Sequence, residues 1–181
     1  IFFEGMKQKI FVEIGVCDFD TLEPLIDRGW LGYFVEPVNE YASKLYDYDV
    51  TECAISTYDG FADFYVSRKT NQDWTRGLSH LVTQQGEKML ERYTHLIEKK
   101  IKVPCYTLQT FLSMKEITYI DYLKVDAEGH EMDIFTAYDW RVKPSLIKLE
   151  HKHIDDIKMA KMLEKQGYIV YTERADMYAI R

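Results

Sequence analysis

Ile120-Asp121-Tyr122-Leu123-Lys124-Val125-Asp126-Ala127-Glu128-Gly129-His130-Glu131 is an apolar-rich run that breaks off into acids, a glycine and a histidine. Met132, Ile134, Phe135 and Ala137 follow at helical spacing and open an amphipathic helix. A buried parallel strand that releases its polar residues at its carboxyl end reads this way. Ligands of open α/β sheets bind in the crevice outside such strand ends. The segment therefore sets the fold class and also the side of the sheet on which a site is expected.

Upstream the same alternation repeats. Residues 10–15 form a strand stopped by Gly15, and residues 21–28 a helix with Leu22, Leu25 and Ile26 on one face. Residues 32–35 form a second strand, ended by Glu36-Pro37 because proline cannot continue a central strand. A helix over 39–48 and a third strand over 49–55 follow. The turn Tyr58-Asp59-Gly60 leads into an extra strand, 61–66, expected to pair with its neighbour. Residues 67–79 are a polar loop holding Trp74 and Arg76, and loops of that length in compact domains carry function. A helix over 81–98, a strand over 101–106 and a helix over 107–113 complete this part.

Downstream come a helix over 131–140, a strand over 146–149 and the cluster Glu150-His151-Lys152-His153. Asp155 caps a helix that Gly167 stops, and 168–171 with 177–180 form an antiparallel pair. Strands alternating with helices, closed by a hairpin, give an α/β sandwich with a mostly parallel sheet. No repeat or linker divides the chain, so residues 1–181 are read as a single domain.

Composition excludes several classes. A net charge of -7 without a basic run argues against nucleic-acid partners. No apolar run approaches the ~20 residues that span a bilayer, so no membrane partner is expected. Cys17, Cys53 and Cys105 are odd in number and widely spaced, which suits reduced thiols and a cytoplasmic setting.

Acids stand at three strand ends: Glu13 before Gly15, then Glu36, then Asp126. Glu36 lies 21 residues past Gly15, where a carboxylate accepts both hydroxyls of a ribose. The first loop, Gly15-Val16-Cys17-Asp18-Phe19-Asp20, lacks the G-x-G-x-x-G pattern that seats a pyrophosphate. Asp18 and Asp20 would repel one. A phosphate-free, positively charged nucleoside fits instead, and S-adenosylmethionine answers that description. Solvated loop acids are the plainer alternative.

These residues carry a resemblance. Val12-Glu13-Ile14-Gly15, Phe34-Val35-Glu36-Pro37, Cys53-Ala54-Ile55-Ser56, Gly77-Leu78-Ser79, Val103 with Thr107-Leu108, the opening segment to Glu131, and Pro144 with Ile147 and Glu150 stand in order along the chain. The sequence resembles the FkbM family of S-adenosylmethionine-dependent methyltransferases, most specifically over 123–131. The resemblance implies a class I methyltransferase (Rossmann-like) three-layer sandwich, with a mostly parallel seven-stranded sheet and a C-terminal antiparallel hairpin. It also implies O-methylation of a hydroxyl on a sugar or other small natural product. Carried over, Glu13 and Gly15 flank the methionine end, Glu36 holds the ribose, and Ala54 and Ile55 meet the adenine edge. Pro37, Cys17 and Asp18 complete the cofactor set, although Cys17, Asp18 and Phe19 stand where relatives often have further glycines.

Methyl transfer needs two reactants held in line and the acceptor's proton removed. Asp126 or His130 is the expected general base, with Glu128 beside it. Glu150 and His151, with Trp74, Arg76 and Ser79 from the polar loop, are expected to shape the acceptor pocket. Asp126, Glu128, His130, Glu150, His151 and His153 also suit a divalent metal by ligand type. No strict spacing such as H-E-x-x-H is present, and no metal is assigned. A metal-dependent hydrolase and a non-catalytic binding module remain the alternatives, while the acceptor and the oligomeric state stay open.

Overall fold

The computed structural model describes residues 7–17, 21–68, 70–71, 73–82 and 93–181, with backbone only at 73, 74 and 76. Its large sheet has seven strands: β1 (Ile10–Ile14), β2 (Leu31–Val35), β3 (Asp49–Thr51), β8 (Tyr122–Val125), β9 (Leu146–Glu150), β10 (Ile169–Glu173) and β11 (Asp176–Ile180). They lie in the order β3-β2-β1-β8-β9-β11-β10. The first five run parallel, and β11 is antiparallel to β9 and β10 on either side of it, so the sheet is mixed but mostly parallel. The expected terminal hairpin is there, in register from Ile169↔Ile180 to Glu173↔Asp176.

Both faces of the central strands are covered, as their continuous apolar runs require. On one face Val12, Ile14, Leu123, Val125, Ile147 and Leu149 pack against three helices: α2 (Leu108–Met114), α3 (Glu131–Ala137) and α4 (Asp156–Lys165). Phe111, Phe135 and Leu163 are the anchors of these helices, each fully buried. Asp155 caps α4 by accepting the Lys158 N–H at 2.9 Å, as read from the sequence. On the other face Phe11 and Phe34 meet edge to face and are covered by Leu22, Leu25, Ile26 and Trp30. The helix expected over 21–28 is there a 3-10 helix, Glu23–Arg28, with Pro24 at its start. The helix expected over 39–48 is a short α1 (Asn39–Ala42) that tightens into a 3-10 turn, Ser43–Leu45.

A second sheet departs from expectation. The strand read over 49–55 is two strands, because Glu52-Cys53 carries the chain from β3 into β4 (Ala54–Ile55), which belongs to a four-stranded sheet. That sheet is ordered β4-β7-β5-β6, with β5 (Gly60–Ser67), β6 (His80–Leu81) and β7 (Ile97–Tyr106). The extra strand does not pair with the strand before it. It pairs with β6 and over its full length with β7, both antiparallel. Pairing with β5 extends β7 back to Ile97, so the last residues of the helix expected over 81–98 are strand. Residues 83–92 of that helix lie outside the described residues. A separate apolar cluster of Ala54, Ala62, Phe64, Val66, Leu81, Val103 and Cys105 closes over Val38 and Tyr41. No helix of the described residues is long and apolar enough to cross a membrane.

Candidate active site

Register brings the strand tips level. Ile14 pairs with Val35 and with Val125, the Gly15 N–H donates to Val35 O at 2.9 Å, and the Asp126 N–H to Ile14 O at 2.9 Å. Outside these tips lies a cleft enclosing about 680 Å³, its open mouth included. Gly15, Val16 and Cys17 follow β1 into its wall, Glu36 and Pro37 follow β2, and Asp126, Ala127 and Glu128 follow β8. The small sheet closes the other side with Ala54, Ile55, Phe64 and Leu81, and Gly77 and Ser79 complete the rim.

Gly15 is dictated by geometry. Its φ is +76°, and a Cβ there would lie 1.8 Å from the backbone oxygen of Asp126. No side chain fits between those two tips. Glu36, 4% exposed, ties the first loop to the second: its carboxylate accepts the Cys17 N–H and the Val38 N–H, each at 2.8 Å.

Glu13 has a different place from the one read for it. Its side chain points to the opposite face of the sheet and is not in the cleft wall. Lys124 Nζ lies 2.9 Å from its Oε1, while Thr21 Oγ and the Leu22 N–H donate to Oε2 at 2.9 and 2.8 Å. With Glu13 at 0% and Lys124 at 4% exposure, this is a buried ion pair binding β1 to β8 and to the start of the 3-10 helix. Asp18 lies outside the described residues, as do the side chains of Trp74 and Arg76.

The turn after β8 concentrates carboxylates. Burial, then the charge of Glu150, pushes the Asp126 carboxyl up to about 6, against a smaller pull from Lys124. Burial raises Glu128 well above the usual range, and Asp126 and Glu150 add to the effect. Glu131, 1% exposed, is pushed up to about 8 by burial, though it accepts the Ala127 N–H at 2.7 Å and the Gly129 N–H at 3.0 Å. Those two bonds shape the loop, in which Glu128 adopts a left-handed φ of 50°. A carboxyl shifted toward neutrality, as Asp126 is, can take and return a proton near physiological pH.

His130 is set apart from this group. It is 5% exposed and caps α3, with Nε2 3.3 Å from Ser56 Oγ. Its Nδ1 is 3.1 Å from Asp133 Oδ2, close enough for an ion pair but off the line of a hydrogen bond. These residues border a second cavity with Thr57, Tyr58 and Val82, and burial lowers the His130 pKa against an opposing pull from Asp133. Glu150 lies next to the cleft and acts on it by charge, with Lys152 Nζ 2.8 Å from its Oε1. His151 is outside the cleft wall; its N–H donates to Ala175 O, and its Nε2 is sealed off with no hydrogen-bond partner among the described residues.

The structure thus gathers Gly15, Cys17, Glu36, Pro37, Ala54, Ile55, Ser79, Asp126 and Glu128 around one space. Sequence reasoning missed Tyr41, Phe64 and Leu81, which share that wall. Their spacing marks them as ordinary core residues, and only the pairing of the small sheet turns them toward the cleft. The family model of the Methyltransferase FkbM domain matches residues 10–170 of this chain. No curated protein matches it.

Proposed function

The chain belongs to the FkbM methyltransferase domain family, and on that premise we propose that it transfers the methyl group of S-adenosylmethionine to a hydroxyl of a small acceptor, a sugar or another natural-product alcohol. The observation that carries this reading is the chemistry of the cleft. Its described wall holds Glu36, Asp126 and Glu128 but no Lys, Arg or His. Such a wall suits a cationic nucleoside without phosphates and disfavours a dinucleotide. In this reading the fold is that of a class I methyltransferase, and residues 1–181 act as one domain.

In this reading Glu36 receives the ribose diol, since paired acceptors match paired donors. Ala54 and Ile55 offer an apolar edge to the adenine, beside Pro37. Gly15 and Cys17, with Asp18, take the methionine end. When bound, the donor supplies an electrophilic methyl carbon on a sulfonium, which departs as a neutral thioether as the acceptor oxygen bonds to that carbon. Asp126 takes the acceptor's proton, and Glu128 faces the same oxygen. His130, whose backbone N–H donates to Ala127 O, positions the turn that carries Glu128. Ser79, Trp74 and Arg76 contact the acceptor, as the Gly77 stretch borders the cleft mouth.

Calorimetric titration with S-adenosylmethionine and S-adenosylhomocysteine tests the donor site. Wild type is expected to bind both, and Glu36→Ala to bind each at least ~10-fold more weakly, having lost a charge-assisted contact of about 1.5–3 kcal/mol. Wild type that binds neither overturns the reading.

A further inference from the structure

Of the six residues whose chemistry suits a metal, the fold draws three together. One ligand atom each from Glu128, Glu150 and His153 lies within 4.8 Å of the others, and His153 Nε2 is 3.9 Å from Glu128 Oε2. The side chains are 14%, 18% and 20% exposed, which places them in a recess. The convergence follows from topology: β8 and β9 are adjacent and parallel with Val125 opposite Leu149, so the chain leaves both strands at neighbouring tips. In the same turn as Glu128, Asp126 Oδ1 is sealed from solvent with no hydrogen-bond partner among the described residues.

We propose that Glu128, Glu150 and His153 form a binding site for one divalent transition ion of the manganese or zinc kind. Two carboxylates and an imidazole suit such an ion better than calcium, which takes oxygen ligands alone. Two atoms each ~2.1 Å from one ion stand up to ~4.2 Å apart, so the His153–Glu128 pair already fits and the third ligand closes by a small side-chain rotation. Lys152 engages Glu150 Oε1 and competes with the ion for that carboxylate. Glu128 belongs both to this set and to the donor cleft, so the open positions of the ion face the acceptor's place. There the ion lowers the pKa of the acceptor hydroxyl. That use rests on the methyltransferase reading; the binding of the ion does not.

The test is titration of the intact chain with MnCl2 near neutral pH, followed calorimetrically and by electron paramagnetic resonance, with no donor or acceptor present. One ion per chain is expected. His153→Ala and Glu150→Gln should each weaken binding at least ~10-fold, and Lys152→Gln should tighten it by removing the competitor. Circular dichroism melting of each variant like wild type assigns the loss to the ligand rather than to the fold. Wild type that takes up no manganese, or a His153→Ala variant that binds as wild type does, overturns the site. Manganese binding without methyl transfer would strike the proposed function and leave the site standing, while donor binding without manganese binding would do the reverse.

Discussion

Replacing Lys124 by methionine isolates the buried pair that joins β1 to β8. The side-chain volume is nearly kept, but Glu13, at 0% exposure, loses the cation 2.9 Å away. At that separation, with an effective dielectric of about 20, the lost attraction is roughly 6 kcal/mol. The bonds from Thr21 Oγ and the Leu22 N–H remain and solvate the carboxylate in part. The expected net loss is therefore about 3–5 kcal/mol, the range for a buried charge left without its partner. In a chain of this length it lowers the melting temperature by roughly 10 °C. Urea denaturation followed by circular dichroism measures it. Adding Glu13→Gln should recover more than half of the loss, because the amide oxygen still accepts the Leu22 N–H and no charge is stranded. A single variant costing under ~1 kcal/mol, or a double variant as unstable as the sum of the two singles, would refute the assignment of the pair as a coupled unit.

Three further outcomes follow from the strand tips. Gly15→Ala should lose about 1–3 kcal/mol of stability and at least ~10-fold in donor affinity, read by urea midpoint and calorimetry, since a Cβ there meets the Asp126 backbone. Asp126 has a raised folded pKa, so between its ordinary value and about 6 the folded state holds a proton that the unfolded chain has released. Its contribution to stability falls as pH rises through that window, by about 3 kcal/mol, and wild type minus Asp126→Asn should show this difference in urea midpoints. Turnover should rise across the same range as the carboxylate forms, and a flat profile below neutrality would count against Asp126 as the base. Glu131→Ala strands the N–H groups of Ala127 and Gly129 and should cost about 2–4 kcal/mol, with faster hydrogen exchange at both amides.

The parallel sheet was legible because its strands are buried on both faces and announce themselves as short apolar runs ending in glycine or acids. Ile10 to Gly15 and the run ending at Asp126 needed no tertiary information. The pairing of the small sheet was not legible, although 61–66 and 101–106 read as strands, because Ala54-Ile55 and His80-Leu81 are too short to carry a period and β5 pairs with β7 across about thirty residues. The same limit applies to the site. Gly15, Glu36 and Asp126 are visible as strand-end residues, whereas the inward turn of Phe64 and Leu81 depends on that distant pairing. Glu13 is the instructive case: a strand-end acid beside a glycine looks ligand-facing, yet strand alternation points it at Lys124 on the far face. Likewise His130 and Glu128 are two residues apart, but the left-handed turn at Glu128 sends them to different cavities.

Only Glu52 and Cys53 separate the last residue of β3 from the first of β4, and Cys53 is fully buried. The two walls of the cleft are therefore joined there by a short link with a buried side chain at its centre, which limits how far they can part. On the proposed methyltransferase reading, entry and the choice of molecule are then expected to fall to the rim at Gly77 and Ser79. Acceptor preference can then drift by changes at the rim alone, while the gripping tips of the large sheet stay as they are.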